Sequence, residues 1–337
     1  MTAAVGSRSA APMHVRGVFL PDEAVRDAWI VGGRLTFERV AGADTISSGG
    51  WVIPGFVDAH CHVGMSPSGH FPDHETQAQH AIANRDAGAL LLRDAGSPVD
   101  NTWVQQQEDL PRLIRAGRHI ARAGRYIRGL GIDIEPPDLV ATVEQQAARG
   151  DGWVKIAADW IDRSVGDLAP TFSGEDFKAA IDRAHELGVR VAAHVFGEET
   201  VPLLVAAGID SIEHGTGITD DMIDEIARRG IAVVPTLVNI DTFPQIAQQG
   251  ESKFPVYAAH MRSLFATSRE RIRSAWEAGI PIYTGTDAGG SQPHGLVREE
   301  IRALVGAGIP IADVIAGASW KAREWLGWPG LEEGAPA

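Results

Sequence analysis

The chain carries a histidine pair, His60 and His62, at the end of the mostly apolar stretch "GFVDAHCH". In a β-strand the side chains alternate between two faces, so both histidines point to one side and Cys61 points to the other. Two imidazoles on one side of a strand end are suited to holding one metal ion. With 12 histidines among 337 residues, such a pair also arises by chance, and it indicates a metal site only when further ligands lie in equivalent positions.

Equivalent positions exist, because from Trp51 onward short apolar runs alternate with amphipathic helical stretches. The eight runs are "VIPGFVDAH", "GALLLRDAG", "RHIARAG", "GWVKIAA", "VRVAAH", "IDSIEH", "IAVVPTL" and "IPIYTGTD". Helices are predicted between runs, for example over 173–188 with Ser173 as N-cap and over 219–230 with Thr219 as N-cap. Alternating strands and helices imply a parallel sheet. Eight such units in about 270 residues fit an α/β fold of the closed (β/α)₈ TIM-barrel type.

Polar residues close several of these runs, and the active sites of such barrels lie at the C-terminal ends of the strands. The fifth run closes with His194, the sixth with His214 and the eighth with Asp287. Nitrogen and oxygen ligands of these types suit zinc or a similar divalent ion. Arg93 and Asp94, which close the second run, are interpreted as a buried pair that supports the barrel mouth.

Lys155 lies inside the apolar fourth run, where an unpaired ammonium group is costly. If its amine adds CO₂, the resulting carbamate presents two oxygens and a negative charge. This group is able to bridge two metal ions. The candidate ligands are then divided between two ions, with His60, His62 and Asp287 on one and His194 and His214 on the other.

Together these stretches resemble the amidohydrolase superfamily of metal-dependent hydrolases, and within it the prolidase-like branch with a carboxylated lysine. The general layout is also similar to imidazolonepropionase-type sequences. The matching stretches are "VIPGFVDAHCHVG", "LLRDAGSP", "AGRHIARAG", "WVKIAAD", "VAAHVFG", "SIEHGT", "VPTL" and "GTDAGG". The resemblance implies the metal ligands His60, His62, Lys155, His194, His214 and Asp287. It also implies two divalent ions, with zinc preferred, a carbamate on Lys155, and Asp287 as the residue that transfers protons.

The activity implied is hydrolysis of an amide (C–N) bond in a small molecule such as an N-acyl amino acid or a dipeptide. After the third run the branch often has a Gly-Gly-His turn, whereas "AGRYIRG" carries Arg125 and Tyr126. These two residues and His294 are the candidate substrate contacts. Arg125 and Arg128, and after them Arg298, are the arginines suited to a substrate carboxylate. The segment 239–265, after the seventh run, is a candidate lid.

Two alternatives remain open. A mononuclear deaminase or cyclic-amidase relative would keep Lys155 as an amine and bind one tight ion per chain. A non-catalytic scaffold on the same barrel should have lost ligands, and none is lost here.

The domain organisation is predicted from the change in pattern near residue 50. Residues 1–50 contain the strand-like runs "HVRGVFL", "AWIVGG" and "RLTFERV" and form a small β-sandwich-like subdomain, and its completion by residues near the C-terminus is left open. Residues 51–328 form the barrel and 329–337 a tail. Relatives continue beyond "GLEEGAPA" into strands that pair with the N-terminal ones, so a thin sheet with an open edge is expected.

Composition excludes several classes of partner. The formal net charge is −14, and the one Arg-rich stretch, 112–128, is interpreted as a solvated face, so no nucleic acid or membrane partner is expected. A single cysteine fits a reducing compartment. Neither a signal sequence nor an apolar run of about 18 residues is found. We therefore expect a cytoplasmic enzyme with a small-molecule substrate, and a homo-oligomer stays open.

Overall fold

The computed structural model of the chain describes residues 11–66 and 71–337. These residues divide into two compact units. One unit comprises the described residues up to Gly55 together with Ser319–Ala337, and the other comprises Phe56–Ala318. Among the described residues, none of the helices combines the length and the apolar character that are needed to cross a membrane.

The smaller unit is built around a five-stranded sheet with β1 in its interior. Its strands are β1 (Met13–Phe19), β2 (Ala24–Val31), β3 (Arg34–Thr36), β4 (Asp44–Ser47) and β5 (Trp51–Val52). Strands β2 and β3 pair antiparallel, whereas β4 and β5 run parallel to β1. The C-terminal segment joins this unit at β3, where the amide of Leu35 donates to the carbonyl of Ala335 at 2.8 Å. The expectation of an open edge is therefore wrong at β3.

The larger unit is a (β/α)₈ barrel. Its barrel strands are β6 (Phe56–Cys61), β7 (Ala89–Asp94), β8 (Arg112–Arg115), β9 (Ile120–Arg122), β11 (Trp153–Ala157), β14 (Arg190–Val195), β15 (Ser211–His214) and β16 (Ala232–Val234). Neighbouring strands are parallel, with the order β6–β7–β8 in one sheet and β9–β11–β14–β15–β16 in the other. At the edge of the second sheet, β10 (Ile132–Ile134) pairs parallel with β9, whereas β12 (Asp159–Asp162) and β13 (Asp167–Pro170) form a separate antiparallel hairpin.

Two positions of the barrel depart from a regular strand. Two short strands share the third position of the barrel. β8 pairs with β7 and β9 pairs with β11, and Gly117, between β8 and β9, has a φ of +70°. Both strands lie in the Arg-rich stretch, so its interpretation as a solvated face is wrong. At the eighth position residues 281–288 close the barrel. The amide of Val233 in β16 donates to Pro281 O at 2.9 Å, and the amide of Thr286 donates to His60 O at 3.0 Å.

Ten helices of this unit are described. They are α1 (His74–Asp86), α2 (Leu139–Ala147), α3 (Gly174–Glu186), α4 (Val201–Ala207), α5 (Asp220–Arg229), α6 (Leu237–Ile240), α7 (Phe243–Gly250), α8 (Pro255–Glu277), α9 (Val297–Gly306) and α10 (Ile311–Ala318). Both helices predicted in detail are confirmed. Helix α3 begins with a capping box of Ser173 and Asp176, and α5 ends at Gly230, whose φ of +64° suits a glycine.

The core explains why polar residues collect inside the barrel. Val154 and Ile156 of β11 belong to the apolar layer that also contains Phe177 and Ile181 of α3. Because strand side chains alternate, Lys155 between them points to the opposite face, toward the barrel interior. The helices thus take up the apolar face of each strand, and the other face delivers the polar residues.

Candidate metal centre

Three of the candidate ligands lie close together where the first and eighth barrel positions end. His60, His62 and Asp287 each offer one ligand atom, and these atoms all lie within 4.8 Å of one another. Oδ1 of Asp287 is 2.9 Å from Nε2 of His62 and 3.3 Å from Nε2 of His60. Gly285 allows this approach, because a Cβ there would lie only 2.8 Å from the Cβ of His60.

The second group consists of His194 and His214 at the ends of β14 and β15. Nδ1 of His194 lies 2.9 Å from Nε2 of His214. In regular alternation Glu213 would point inward and His214 outward, but His214 has a φ of +69°. This left-handed backbone turns its ring back toward the barrel interior, a strained conformation of a kind that clusters at functional sites. The ring centroids of His60 and His214 are 5.1 Å apart, so the two groups adjoin.

Lys155 is buried beside the first group. Its Nζ lies 3.4 Å from Nε2 of His60. Burial lowers the pKa of Lys155 to about 8, against the opposing charges of Glu213 and Asp287. A lower pKa increases the neutral amine fraction, which is the form that adds CO₂.

The outer ring nitrogens of three histidines are held by other groups. Nδ1 of His60 lies 2.7 Å from Oε2 of Glu213, and Nδ1 of His62 donates to the carbonyl of Gly96 at 2.7 Å. Nδ1 of His214 lies 2.7 Å from Oγ1 of Thr236. Metal-binding histidines are usually oriented in this way through the nitrogen that does not bind the ion. The residues present therefore fit a divalent metal centre, with the Nε2 atoms of these rings directed toward the other candidate ligands.

Glu213 is a residue that the sequence analysis missed. It is fully buried, and its Oε1 accepts from Nη2 of Arg93 at 2.7 Å and from Oγ of Ser211 at 2.5 Å. Burial opposes its charge, but Arg93, Lys155 and His60 hold the pKa of Glu213 well below its usual range. The signal in the sequence is a charged residue directly before His214, inside a predicted strand.

Arg93 does support the barrel interior, but its partner differs from the predicted one. The guanidinium of Arg93 pairs with Glu213, whereas Asp94 accepts from the amides of Val63 and Gly96, both at 2.9 Å. The two residues are neighbours on a strand, so their side chains point to opposite faces. The predicted pair between Arg93 and Asp94 is therefore wrong.

Asn239 and His119 were also missed. Nδ2 of Asn239 donates to Oδ2 of Asp287 at 2.8 Å, which orients the carboxylate. His119 is buried and stacks on His62 with a centroid distance of 4.9 Å. Asn239 stands at the start of the predicted lid, and His119 stands in the third apolar run, whose pattern predicts only a strand.

The three predicted substrate contacts lie in different surroundings. Tyr126 lies beside the centre, with its ring centroid 5.7 Å from that of His194. Nδ1 of His294 accepts from Asn84 at 3.1 Å, and its ring stacks on that of His80 at 4.2 Å. Substrate contact by these two residues stays a prediction.

Arg125 is engaged by the hairpin of β12 and β13. Its Nη1 donates to Oδ2 of Asp162 at 2.6 Å, and its Nη2 donates to the carbonyls of Trp160 at 3.2 Å and Ala169 at 3.0 Å. A guanidinium that is occupied in this way is not available for bidentate pairing with a substrate carboxylate. The geometry favours a structural role for Arg125, contrary to the predicted one.

Comparison with known proteins agrees with this arrangement. A model of the amidohydrolase family matches residues 51–337. An uncharacterized protein of Mycobacterium tuberculosis is 53% identical over 326 residues, which cover 96% of this chain and 88% of that protein.

Solved structures show the same fold. The structure of a Xaa-Pro dipeptidase with bound methionine has a TM-score of 0.78 at 23% identity, covering 97% of this chain and 92% of that chain. The ochratoxinase of A. niger has a TM-score of 0.76 at 19% identity, covering 98% and 88%. The family match spans the whole barrel, including every candidate ligand. The chain therefore belongs to the amidohydrolase family and is a hydrolase that acts on C–N bonds.

Proposed function

We propose that the protein is a binuclear metal-dependent hydrolase that cleaves the amide bond of a small substrate such as an N-acyl amino acid or a dipeptide. One observation carries the proposal: His60, His62 and Asp287 form one ligand group and His194 and His214 form an adjoining one, with the amine of Lys155 beside His60. A Xaa-Pro dipeptidase and an ochratoxinase among the similar structures support an amide substrate.

Each residue has a defined task in this proposal. His60, His62 and Asp287 would hold one ion and His194 and His214 the other, and Lys155, if carboxylated, would supply oxygen ligands. When bound, divalent ions such as zinc polarise a carbonyl group and lower the pKa of water. Asp287 accepts the proton of the attacking water and returns it to the leaving nitrogen. Asn239, which donates to Oδ2 of Asp287, holds the carboxylate in position for this transfer.

A second candidate is a mononuclear amidohydrolase in which Lys155 remains an amine. The cluster of His60, His62 and Asp287 favours it, because three ligands from one compact group are sufficient for a catalytic zinc ion. The two candidates differ in metal content and in the chemical state of Lys155.

Metal analysis separates them. Protein produced with added zinc is expected to hold two equivalents per chain, and isotope-labelled bicarbonate should give a carbamate signal in the carbon NMR spectrum. Lys155→Ala should remove the signal and at least one ion. The control is Lys178→Ala, at a lysine whose side chain is 58% exposed on α3, which should change neither. One ion per chain with a plain amine would favour the mononuclear candidate, and no bound metal would contradict both.

Activity is tested with a library of dipeptides and N-acyl amino acids. Lys155→Ala should lose nearly all turnover. Acetate or propionate should restore part of it, because the cavity left by the lysine accepts a small carboxylate. A Lys155→Ala protein that keeps two ions and its rate would overturn the binuclear proposal.

A further inference from the structure

Aromatic side chains cluster around His194. The ring centroid of Phe196 lies 4.3 Å from that of His194, that of Trp160 lies 5.4 Å away and that of Tyr126 lies 5.7 Å away. Phe196 is buried, whereas Trp160 and Tyr126 are partly exposed. We call Tyr126, Trp160 and Phe196 the aromatic wall. It places two partly exposed rings next to a candidate metal ligand.

Two rings of the aromatic wall are arranged edge to face. Those of Tyr126 and Trp160 meet at a centroid distance of 4.7 Å and an interplanar angle of 64°. This is the geometry that aromatic pairs prefer, since the positive edge of one ring meets the negative face of the next. A further flat ring is able to continue the pattern, whereas a puckered ring of similar size offers neither a face nor an aromatic edge.

The hairpin of β12 and β13 holds Trp160 in place. Trp160 pairs with Ala169 across the hairpin, and Arg125 donates to the carbonyls of both residues. Asp159, directly before Trp160, accepts from the amides of Phe196 at 2.9 Å and Gly197 at 2.6 Å. These bonds tie the hairpin to the end of β14, which carries His194.

Phe196 is held from the other side. Its ring packs against Phe243 of α7 at 4.7 Å, and both belong to an apolar cluster with Leu168 of β13 and Met261 of α8. The wall is therefore fixed before a ligand arrives. A preformed wall gives up little conformational freedom on binding, so more of the contact energy appears as affinity.

We infer that the substrate carries a flat aromatic group next to the scissile C–N bond, and that this group packs on Trp160 and Tyr126 beside His194. The inference rests on the proposed function, because it identifies the substrate class of that same site. The aromatic wall then selects aromatic amides over aliphatic amides of equal size. The expected preference is about two- to tenfold, the range that aromatic pairing adds beyond area burial.

Binding is measured by calorimetry on the zinc-loaded protein with two pairs of probes. Phenylphosphonate is compared with cyclohexylphosphonate, and benzylphosphonate with cyclohexylmethylphosphonate. Both members of a pair offer the same phosphonate to the metal centre and the same number of ring carbons. The flat member of at least one pair should bind about two- to tenfold more tightly. Equal affinity within both pairs would overturn the inference.

Variants of Trp160 assign the preference to the wall. Trp160→Leu should reduce the ratio of affinities to about one, and Trp160→Phe should keep part of it. Metal content is measured for each variant, because a loss of zinc would show that the ring supports His194 instead and would overturn the assignment. The control is Trp51→Leu, at a tryptophan that is 65% exposed in the smaller unit, which should leave the ratio unchanged. If Trp160→Leu does not fold, Tyr126→Leu provides the same test.

Hydrolysis is then compared for N-benzoylglycine and N-cyclohexanecarbonylglycine, and for the N-acetyl derivatives of phenylalanine and cyclohexylalanine. A preference in kcat/KM for a flat member that disappears in Trp160→Leu supports the inference. Turnover without such a preference overturns the inference alone. No turnover together with no phosphonate binding overturns the proposed function, and this inference with it.

Discussion

The two sides of the metal centre differ in what surrounds their histidines. On the polar side, the rings of His60 and His62 contact Glu213, Asp287 and the carbonyl of Gly96. On the aromatic side, the rings of His194 and His214 pack against Phe196, at centroid distances of 4.3 and 4.8 Å. Charged and polar groups surround the histidines of the polar side, whereas mainly aromatic rings surround those of the aromatic side.

This difference changes the protonation of the histidines. On the polar side, burial lowers the pKa of His62, but the hydrogen bond and charge of Asp287 outweigh it, so the pKa is raised. On the aromatic side, burial holds the pKa values of His194 and His214 well below the usual range. Neutral imidazoles bind metal without first losing a proton. The polar side thus holds the charged groups, and the aromatic side offers neutral imidazoles and an apolar surface.

The largest expected effect concerns the buried charge pair of the polar side. Arg93 and Glu213 are 1% and 0% exposed. Glu213→Gln leaves the guanidinium of Arg93 buried without a counter-charge, and removing one partner of such a pair costs about 3–5 kcal/mol. We expect a loss of this size in the free energy of unfolding, measured by chemical denaturation of the metal-free protein.

Its control is Asp182→Asn on α3. Asp182 pairs with Lys178, and the two side chains are 52% and 58% exposed. Removing this i,i+4 pair should cost at most about 0.5 kcal/mol. Equal losses for Glu213→Gln and the control would show that the charge of Glu213 does not hold the polar side together.

The next effect concerns Asp287. Asn keeps a carbonyl oxygen for the metal and for Asn239 but cannot accept a proton as a base. Asp287→Asn should therefore keep most of the metal and lose at least about 10²-fold in kcat, the contribution typical of general acid–base catalysis. The readouts are metal content and the hydrolysis rate of an amide found in the library. Asp241→Asn, at a carboxylate that is 46% exposed, serves as the control. A near-native rate for Asp287→Asn would remove this residue from proton transfer.

A smaller effect tests how the aromatic side is anchored. Arg125→Met leaves Asp162 and the carbonyls of Trp160 and Ala169 without their donor, at a cost of about 1–3 kcal/mol in unfolding free energy. Because the guanidinium holds the hairpin, KM and kcat should change equally for carboxylate-bearing and amidated substrates. The exposed Arg39 of the smaller unit provides the control, Arg39→Met. A rise in KM confined to carboxylate-bearing substrates would instead make Arg125 a substrate contact.

The smallest effect is a pH dependence at the outer border of the aromatic side. His260 of α8 lies 2.8 Å from Oε2 of Glu198 and 2.9 Å from Oδ1 of Asp167. The hydrogen bond to Glu198 raises the pKa of His260 to about 9, from an ordinary value of 6.5. A raised pKa means that the stabilisation is fully present below pH 6.5 and is lost as the pH rises through 9.

The measurement is the melting temperature as a function of pH. The advantage of the wild type over His260→Gln should be largest near pH 6 and should fade above about pH 9. His185→Gln, at a histidine whose side chain is 41% exposed on α3, is the control. A constant difference across the whole range would show that His260 contributes by packing and not by its charge.

Much of the fold followed from local patterns. The eight apolar runs predicted the barrel, and the caps at Ser173 and Thr219 predicted the beginnings of α3 and α5. These features are visible in the sequence because strand alternation and helix capping act between residues that are close along the chain. The sequence does not reveal that the third barrel position is divided into β8 and β9, because the arginines around β8 predict a charged, solvated surface.

The sequence by itself determined that five candidate ligands reach the barrel interior, although it did not reveal Glu213 or His119. His60, His62, Lys155, His194 and Asp287 stand at or near strand ends, and the family match covers all of them. The sequence motifs and the alternation of strand side chains are sufficient to predict that these residues lie together, because the strands of a parallel barrel all end at the same face.

Only the tertiary structure decided which groups meet. Arg93 pairs with Glu213, which lies 120 residues away in sequence, and not with its neighbour Asp94. Arg125 binds the hairpin that carries Trp160, through a hydrogen bond between residues 35 positions apart in sequence. The ring of His214 reaches the candidate metal centre only because this residue has a positive φ. Regular side-chain alternation along β15 would point it outward. Buried charges take the partner that the packed interior brings within hydrogen-bond distance, and that distance depends on all eight strands together.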